Sequence, residues 1–325
     1  VLVHYSTKKE SQITSDLNQL CSLLKSVVAG QNINTNVDGS YKPPTPSQSP
    51  QPMIDDTIKE DHTLGTVDIS GKDEEEAKNA IQEEINKQSV AGKDNIIKIE
   101  GDNIPSGLDI KDKYLKVEEG ATVNIDTEKM RLSLTEGSSS ATIKAKNTNV
   151  DLSIKNDYES TLEIQPPEGA KNIVIKTSSE ILAPITFVVP KNVNLEIETL
   201  NLHSNAKVSA QSNDGTDIQV SVNNIVALQQ TTAQLSKVTI KESLSIKTGA
   251  NLEFSDVQFD DKSKLNLDLL TLIHGNYEEK PFISGELGKP PMEIIMNPPE
   301  DKGYTPSANE EYILFSGDFK SGCKE

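Results

Sequence analysis

Few residues in this chain could do chemistry, and most of them stand apart. Asp260 and Asp261 are adjacent, and two carboxylates about 5 to 9.5 Å apart on one face are the minimum equipment for acid–base cleavage of a glycosidic bond. An acidic pair at a turn is also commonplace, and a solvated turn is the plainer reading. His4, His62, His203 and His274 are scattered without the short spacings of a zinc site. His203 closes the apolar run "LNLHS" and reads as a partly buried surface histidine. Arg131 is the only arginine, so bidentate clamping of phosphate or carboxylate groups is nearly excluded. Neither a phosphate-binding P-loop nor a dinucleotide fingerprint occurs, and the glycine-rich calcium repeat is missing as well. No cofactor and no metal centre is therefore expected; diffuse, weak divalent binding by turn acids is the most this pattern offers.

The two cysteines carry more information. Cys21 lies on the apolar stripe of a helical segment, and Cys323 is third from the end of the chain, in "SGCKE". A bridge between them within one molecule needs their Cα atoms within about 7 Å. A bridge from Cys323 to a neighbouring molecule has no such requirement. Both pairings stay open, as does ordinary core packing for Cys21.

The elements that would position these groups follow from composition. The chain has 325 residues, 4% aromatics and no Trp. Its core must be built from Val, Ile and Leu, which suits stacked strands better than an aromatic-walled ligand pocket. A formal charge of -18 repels phosphate backbones and anionic headgroups, so nucleic-acid and membrane-surface partners are disfavoured. No run approaches the roughly 18 to 20 apolar residues of a membrane span. The sequence opens Val1-Leu2-Val3, as it would after removal of a signal peptide or at a boundary set elsewhere. Among 25 asparagines no Asn-x-Ser/Thr acceptor occurs, where chance would supply about four. In a secreted protein that points to a lineage without Asn-linked glycans, bacterial or a reduced eukaryote such as a microsporidian.

Along the chain, "SDLNQLCSLLKSVVAG" sets Leu17, Leu20, Cys21, Leu24, Val27 and Val28 on one helical stripe, with Ser15 as its cap and Gly30 as its stop. This N-terminal helical segment occupies residues 1–40. The proline-rich stretch "KPPTPSQSPQP" makes residues 41–57 a semi-rigid linker. Residues 58–112 read as a small α/β cap: "GTVDIS", then a helix in "DEEEAKNAIQEEINKQ", then "NIIKIEG". Asp73 caps that helix, three glutamates sit at the positive end of its dipole, and Ala77, Ile81 and Ile85 recur every four residues.

From residue 113 to 325 the pattern changes to short alternating runs. Val123, Ile143 and Leu162 form one series separated by about 20 residues, and Leu132, Leu152 and Ile173 form another; Leu244 to Leu265 spans one more period. A fixed period with two or more short strands per repeat is the signature of a solenoid, in which no coil can bury its apolar face alone. The turns agree, since "EEGATVNI" and "KTGANLEF" place Gly-Ala just before a strand, where a tight corner needs glycine's backbone freedom. An all-β sandwich is the competing arrangement; the uniformity of the runs favours the all-β solenoid, a right-handed parallel β-helix.

The phrases "GATVNI" and "GANLEF", with the closing run "GYTPSANEEYILFSGDF", resemble the pectin-lyase-like parallel β-helices, particularly the passenger domains of bacterial autotransporters. The resemblance covers about residues 95 to 320 and is one of texture. It implies a surface-exposed rod and no particular activity. Polygalacturonase-like enzymes of that class carry Asn-Thr-Asp, Asp-Asp, Gly-His-Gly and Arg-Ile-Lys elements. Here the counterparts are "NTN" at Asn147, Asp260-Asp261 and "IHG" around His274, with no arginine element.

The reading that emerges is a non-enzymatic extracellular structural protein, a self-associating unit of a surface layer, coat or spore wall. The apolar face of Leu17, Leu20, Leu24 and Val28 would dock on another copy or another wall protein. An adhesin binding host glycans or proteins along the rod is the first alternative, and a polysaccharide lyase or hydrolase the second.

Overall fold

The computed structural model describes residues 2–4, 59–126, 129–135, 140–268, 281–297, 311–313 and 315–319. Strand Asp61–Asp68 is followed by the helix Glu74–Ile85 and by strand Asp94–Glu100, and the two strands pair in parallel. From there the chain winds as an all-β parallel solenoid of about eight turns.

The first sheet stacks the strands Asp94–Glu100, Lys113–Val117, Met130–Leu134 and Leu152–Asn156. It continues through the C-terminal halves of the long strands Asn172–Ile181, Asn194–Leu202, Val220–Ala227 and Val238–Ile246, and ends on Lys264–Asp268 and Glu293–Asn297. A second sheet begins at Asn103–Ile104 and Ala121–Ile125 and ends at Phe315–Phe319. A third begins at Asn149–Val150, using the N-terminal halves of the same long strands. The first turns therefore have two sheets and the later ones three. Separately, Leu2–His4 pairs antiparallel with Glu311–Ile313.

Parallel pairing puts like on like. On the first sheet, Leu115, Leu132 and Ile154 share one inward column, and Leu202, Ala227, Ile246, Leu267 and Met296 share another. The result is one continuous aliphatic core running from Val67 to Phe315, with each fully buried Leu or Ile contributing about 1.5–3 kcal/mol of transfer free energy. Phe187, Phe254, Phe259 and Phe315 are the phenylalanines inside it. The expected register holds at Val123–Ile143 and Leu244–Leu265. It slips by two residues at Leu162, which pairs with Ala141, and at Leu152, which pairs with Met130. Ile173 belongs to the third sheet, beside Leu195. A slip of two keeps the same face inward, so hydrophobic alternation cannot detect it.

Polar side chains on the outer faces also pair from coil to coil. Asn194 donates to Asn172 at 2.9 Å, Asn201 to Ser178 at 2.9 Å, and Thr186 meets Ser209 at 3.1 Å. The corners use left-handed backbone, with φ of +73° at Gly120 and +75° at Gly249, the two glycines of the Gly-Ala phrases.

The helix Glu74–Ile85 packs its apolar stripe onto the core. Asp73 Oδ1 accepts from the Glu76 N–H at 2.8 Å, and Ala77, Ile81 and Ile85 are buried against the first coils. Its packing is close: a Cβ on Gly65 would run into the Glu84 carboxylate. Within the expected helical segment 1–40 only Leu2–His4 is described, as a strand; the rest of it, the linker, Cys21, His274 and Cys323 lie outside the described residues.

Candidate functional site

The alternation of buried and exposed residues breaks in the early strands of the first sheet, most fully in the fourth. All five residues of Leu152–Asn156 are buried, although Leu152, Ile154 and Asn156 face the core and Ser153 and Lys155 face outward. The outer face is covered here because the leading ends of two earlier strands lie against it. Lys155 Nζ donates to Asp61 Oδ1 at 2.6 Å and to Asp94 Oδ2 at 3.0 Å, with its side chain only 4% exposed. Asp157, two residues on, lies within electrostatic reach of Lys155, Asp61 and Asp94.

The surroundings complete the cluster. Arg131 lays its guanidinium 3.7 Å from the centroid of the buried Tyr114 ring, and Lys155 Nζ is 6.0 Å from the same centroid. Beside Lys155 in the next coil stands Glu180. Its carboxylate accepts from Asn201 at 2.6 Å and meets His203 Nε2 at 2.6 Å, with His203 itself buried. A polar stripe thus crosses five coils of the first sheet, from Tyr114 to His203.

Burial and charge pull in opposite directions along it. Burial alone would lower the Lys155 ammonium, but hydrogen bonds to Asp61 and Asp94 outweigh that, and its pKa is raised. Asp157 is pushed up by burial, reinforced by the neighbouring Asp61 and Asp94 charges and against the pull of Lys155. Three carboxylates around one ammonium leave excess negative charge, which favours the protonated form of Asp157. The charged heads in this cluster are directed at one another, which makes its evident chemistry that of a fastening.

The residues singled out from the sequence are placed differently. Asp260 and Asp261 do sit at a turn, after strand Asn251–Phe259. Asp260 pairs with Lys241 at 3.3 Å and Asp261 with Lys289. The Lys241 hydrogen bond holds the Asp260 carboxyl below the usual range, which favours the ionised form over a proton donor. Asn147 is exposed at a bend, and His62 is exposed on the leading strand Asp61–Asp68. His203 is more deeply buried than its position at a strand end suggested. Among the described residues no group of three His, Cys, Asp or Glu could hold a metal ion. Leu17, Leu20, Leu24 and Val28, like Cys21 and Cys323, fall outside the described residues.

The Lys155 cluster is invisible to sequence reading, because Asp61 and Asp94 are 94 and 61 residues away from Lys155 and an outward lysine in a strand is ordinary. No protein-family model matches the chain, and no curated protein or solved structure matches it.

Proposed function

We propose that this protein is a non-enzymatic structural unit of an extracellular layer, coat or spore wall, assembled from copies of itself or with other wall proteins. The observation that carries the reading is the stack of parallel coils around one aliphatic core, to which the helix Glu74–Ile85 adds Ala77, Ile81 and Ile85. Such a stack supplies length and stiffness at low sequence cost, since each coil needs only its neighbours. A helix acting as a cap at that end would disfavour end-on-end stacking of copies there, as terminal caps do in repeat proteins generally. Association then falls to the N-terminal segment, with Leu17, Leu20, Leu24 and Val28 as its apolar face and Cys323 or Cys21 as a covalent tie in an oxidising compartment. The pectin-lyase-like and autotransporter-passenger texture of the sequence agrees with a surface rod. The lysine partners of Asp260 and Asp261 weigh against a glycan-cleaving role for that pair.

The test is the native mass of the purified protein with and without reductant, beside a variant lacking residues 1 to 52. Large species that collapse to monomers on removal of the segment are expected. Monomers in both cases overturn the assembly reading and turn attention to the rod's faces as binding surfaces for glycans or proteins.

A further inference from the structure

We propose that in the assembled protein the strand Leu2–His4 of one copy pairs with Glu311–Ile313 of the next, so that copies are joined head to tail by strand exchange. The inference rests on the assembly reading above and names its contact. Within one chain the pair is antiparallel, with Leu2 opposite Ile313, Val3 opposite Tyr312 and His4 opposite Glu311. It forms a two-stranded sheet of its own, separate from the parallel coils.

The position of the pair is what makes exchange available. Glu311–Ile313 shortly precedes Phe315–Phe319, which ends the second sheet, whereas Asp61–Asp68 opens the first. Ten successive parallel pairings lead from Asp61–Asp68 to Glu293–Asn297, a distance of about 50 Å. Leu2–His4 thus sits at the trailing end, while the chain that follows it enters the solenoid at the leading end. The 56 residues between His4 and Asp61 would reach about 180 Å if fully extended, enough for an acceptor on the same copy or on a neighbour. Both pairings use the same backbone bonds, so exchange loses no contact, and proximity decides between them. A tether presents the strand to its own acceptor at on the order of 1 mM, whereas copies packed in a layer present theirs at on the order of 10 mM. The dilute chain therefore pairs with itself, and the packed chain pairs with its neighbours. The trailing end also stays open: among the described residues no strand continues the first sheet beyond Glu293–Asn297, and Met292 beside it is exposed. Donor and acceptor are different strands, so the contact does not close on itself and extends into a line of copies.

A mixing experiment tests it. In full chains carrying Cys21→Ser and Cys323→Ser, copies with Val3→Cys are mixed with copies with Tyr312→Cys and treated with a short bismaleimide, at about 10 µM and at about 1 mM, below and at the tether's effective concentration. A covalent dimer of the two kinds of copy is expected in the concentrated mixture, several-fold more abundant than in the dilute one. A chain carrying both substitutions should link internally when dilute and into multiples when concentrated. Links confined to that doubly substituted monomer at both concentrations, or no link at all, overturn the exchange. A three-residue pair is marginal alone, so it adds to the association made by the rest of the N-terminal segment. Deleting residues 1 to 4 should raise the concentration at which large species form about tenfold, the effect of one or two hydrogen bonds. Large species that are lost on removal of residues 1 to 52 but unmoved by removal of 1 to 4, with no mixed dimer, overturn the exchange and leave assembly standing. Monomers throughout overturn both.

Discussion

Asn156 shows how one polar side chain can be required inside an apolar column. It stands between Leu134 and Ile181 in the inward ladder, fully buried. Its side-chain amide donates to the carbonyls of Ala183 at 3.0 Å, Pro184 at 3.2 Å and Tyr158 at 3.3 Å, and its Oδ1 accepts from the Leu182 N–H at 3.2 Å. The chain turns at both 157–159 and 182–183, and the amide bridges the two turns, beside the Leu182 N–H bond to the Asn156 carbonyl at 3.2 Å and the Ser160 Oγ bond to the Tyr158 carbonyl at 2.6 Å. Asn156→Leu has nearly the right volume and suits the column, yet it removes the amide's bonds at both turns, among them the buried one to the Ala183 carbonyl. A loss of about 3 kcal/mol is expected in urea unfolding, against less than about 1 kcal/mol for the exposed Asn147→Leu. A small effect at Asn156 would mean that the corner carbonyls find other donors.

At the level of elements, the corners decide how well the coils stack. Strand Thr232–Ser236 turns into Val238–Ile246 through a single residue, Lys237, at φ +52°, whose N–H donates to Ser255 O at 2.8 Å. The equivalent bend in the next coil falls at Asp256, φ +58°. A left-handed backbone costs an L-residue roughly 1 kcal/mol, less for Asn or Asp because the short polar side chain can bond locally. Lys237→Asn should therefore raise the unfolding free energy by about 0.5 kcal/mol, and Lys237→Val should lower it by more than about 1 kcal/mol. The opposite order in urea midpoints would show that the Lys237–Asp217 ion pair, at 3.0 Å, outweighs the backbone term. This corner also marks the limit of what sequence reveals. Gly120 and Gly249 announced their turns, and the Asp73 cap with its three glutamates announced the helix Glu74–Ile85. Alternation revealed the strands and the approximate period. Lys237 gave no signal, because the bend is imposed by the coils above and below. The Lys155 cluster was equally hidden, since contacts between residues 61 or 94 positions apart depend on how the first turns lie against the later ones.

For the whole molecule, the consequence of stacking is that stability is local. Each coil touches the one before and the one after, so its contribution is set mainly by two interfaces, and the solenoid behaves as a chain of coupled units. Leu200 tests this. It is fully buried in the first sheet between Ser179 and Ile225, and Leu200→Ala should cost about 2–4 kcal/mol through lost transfer free energy and the cavity left behind. In a compact domain that cost would appear in every slowly exchanging amide, because they all open together. Here the acceleration should concentrate in Asn172–Ile181, Asn194–Leu202 and Val220–Ala227, while Asp94–Glu100 and Asn251–Phe259 keep their protection within about twofold. The urea transition should also broaden, since the weakened coil lets the two sides unfold separately and reduces the surface exposed in each step. A uniform loss of protection with an unchanged slope would show instead that the coils unfold as a single cooperative body.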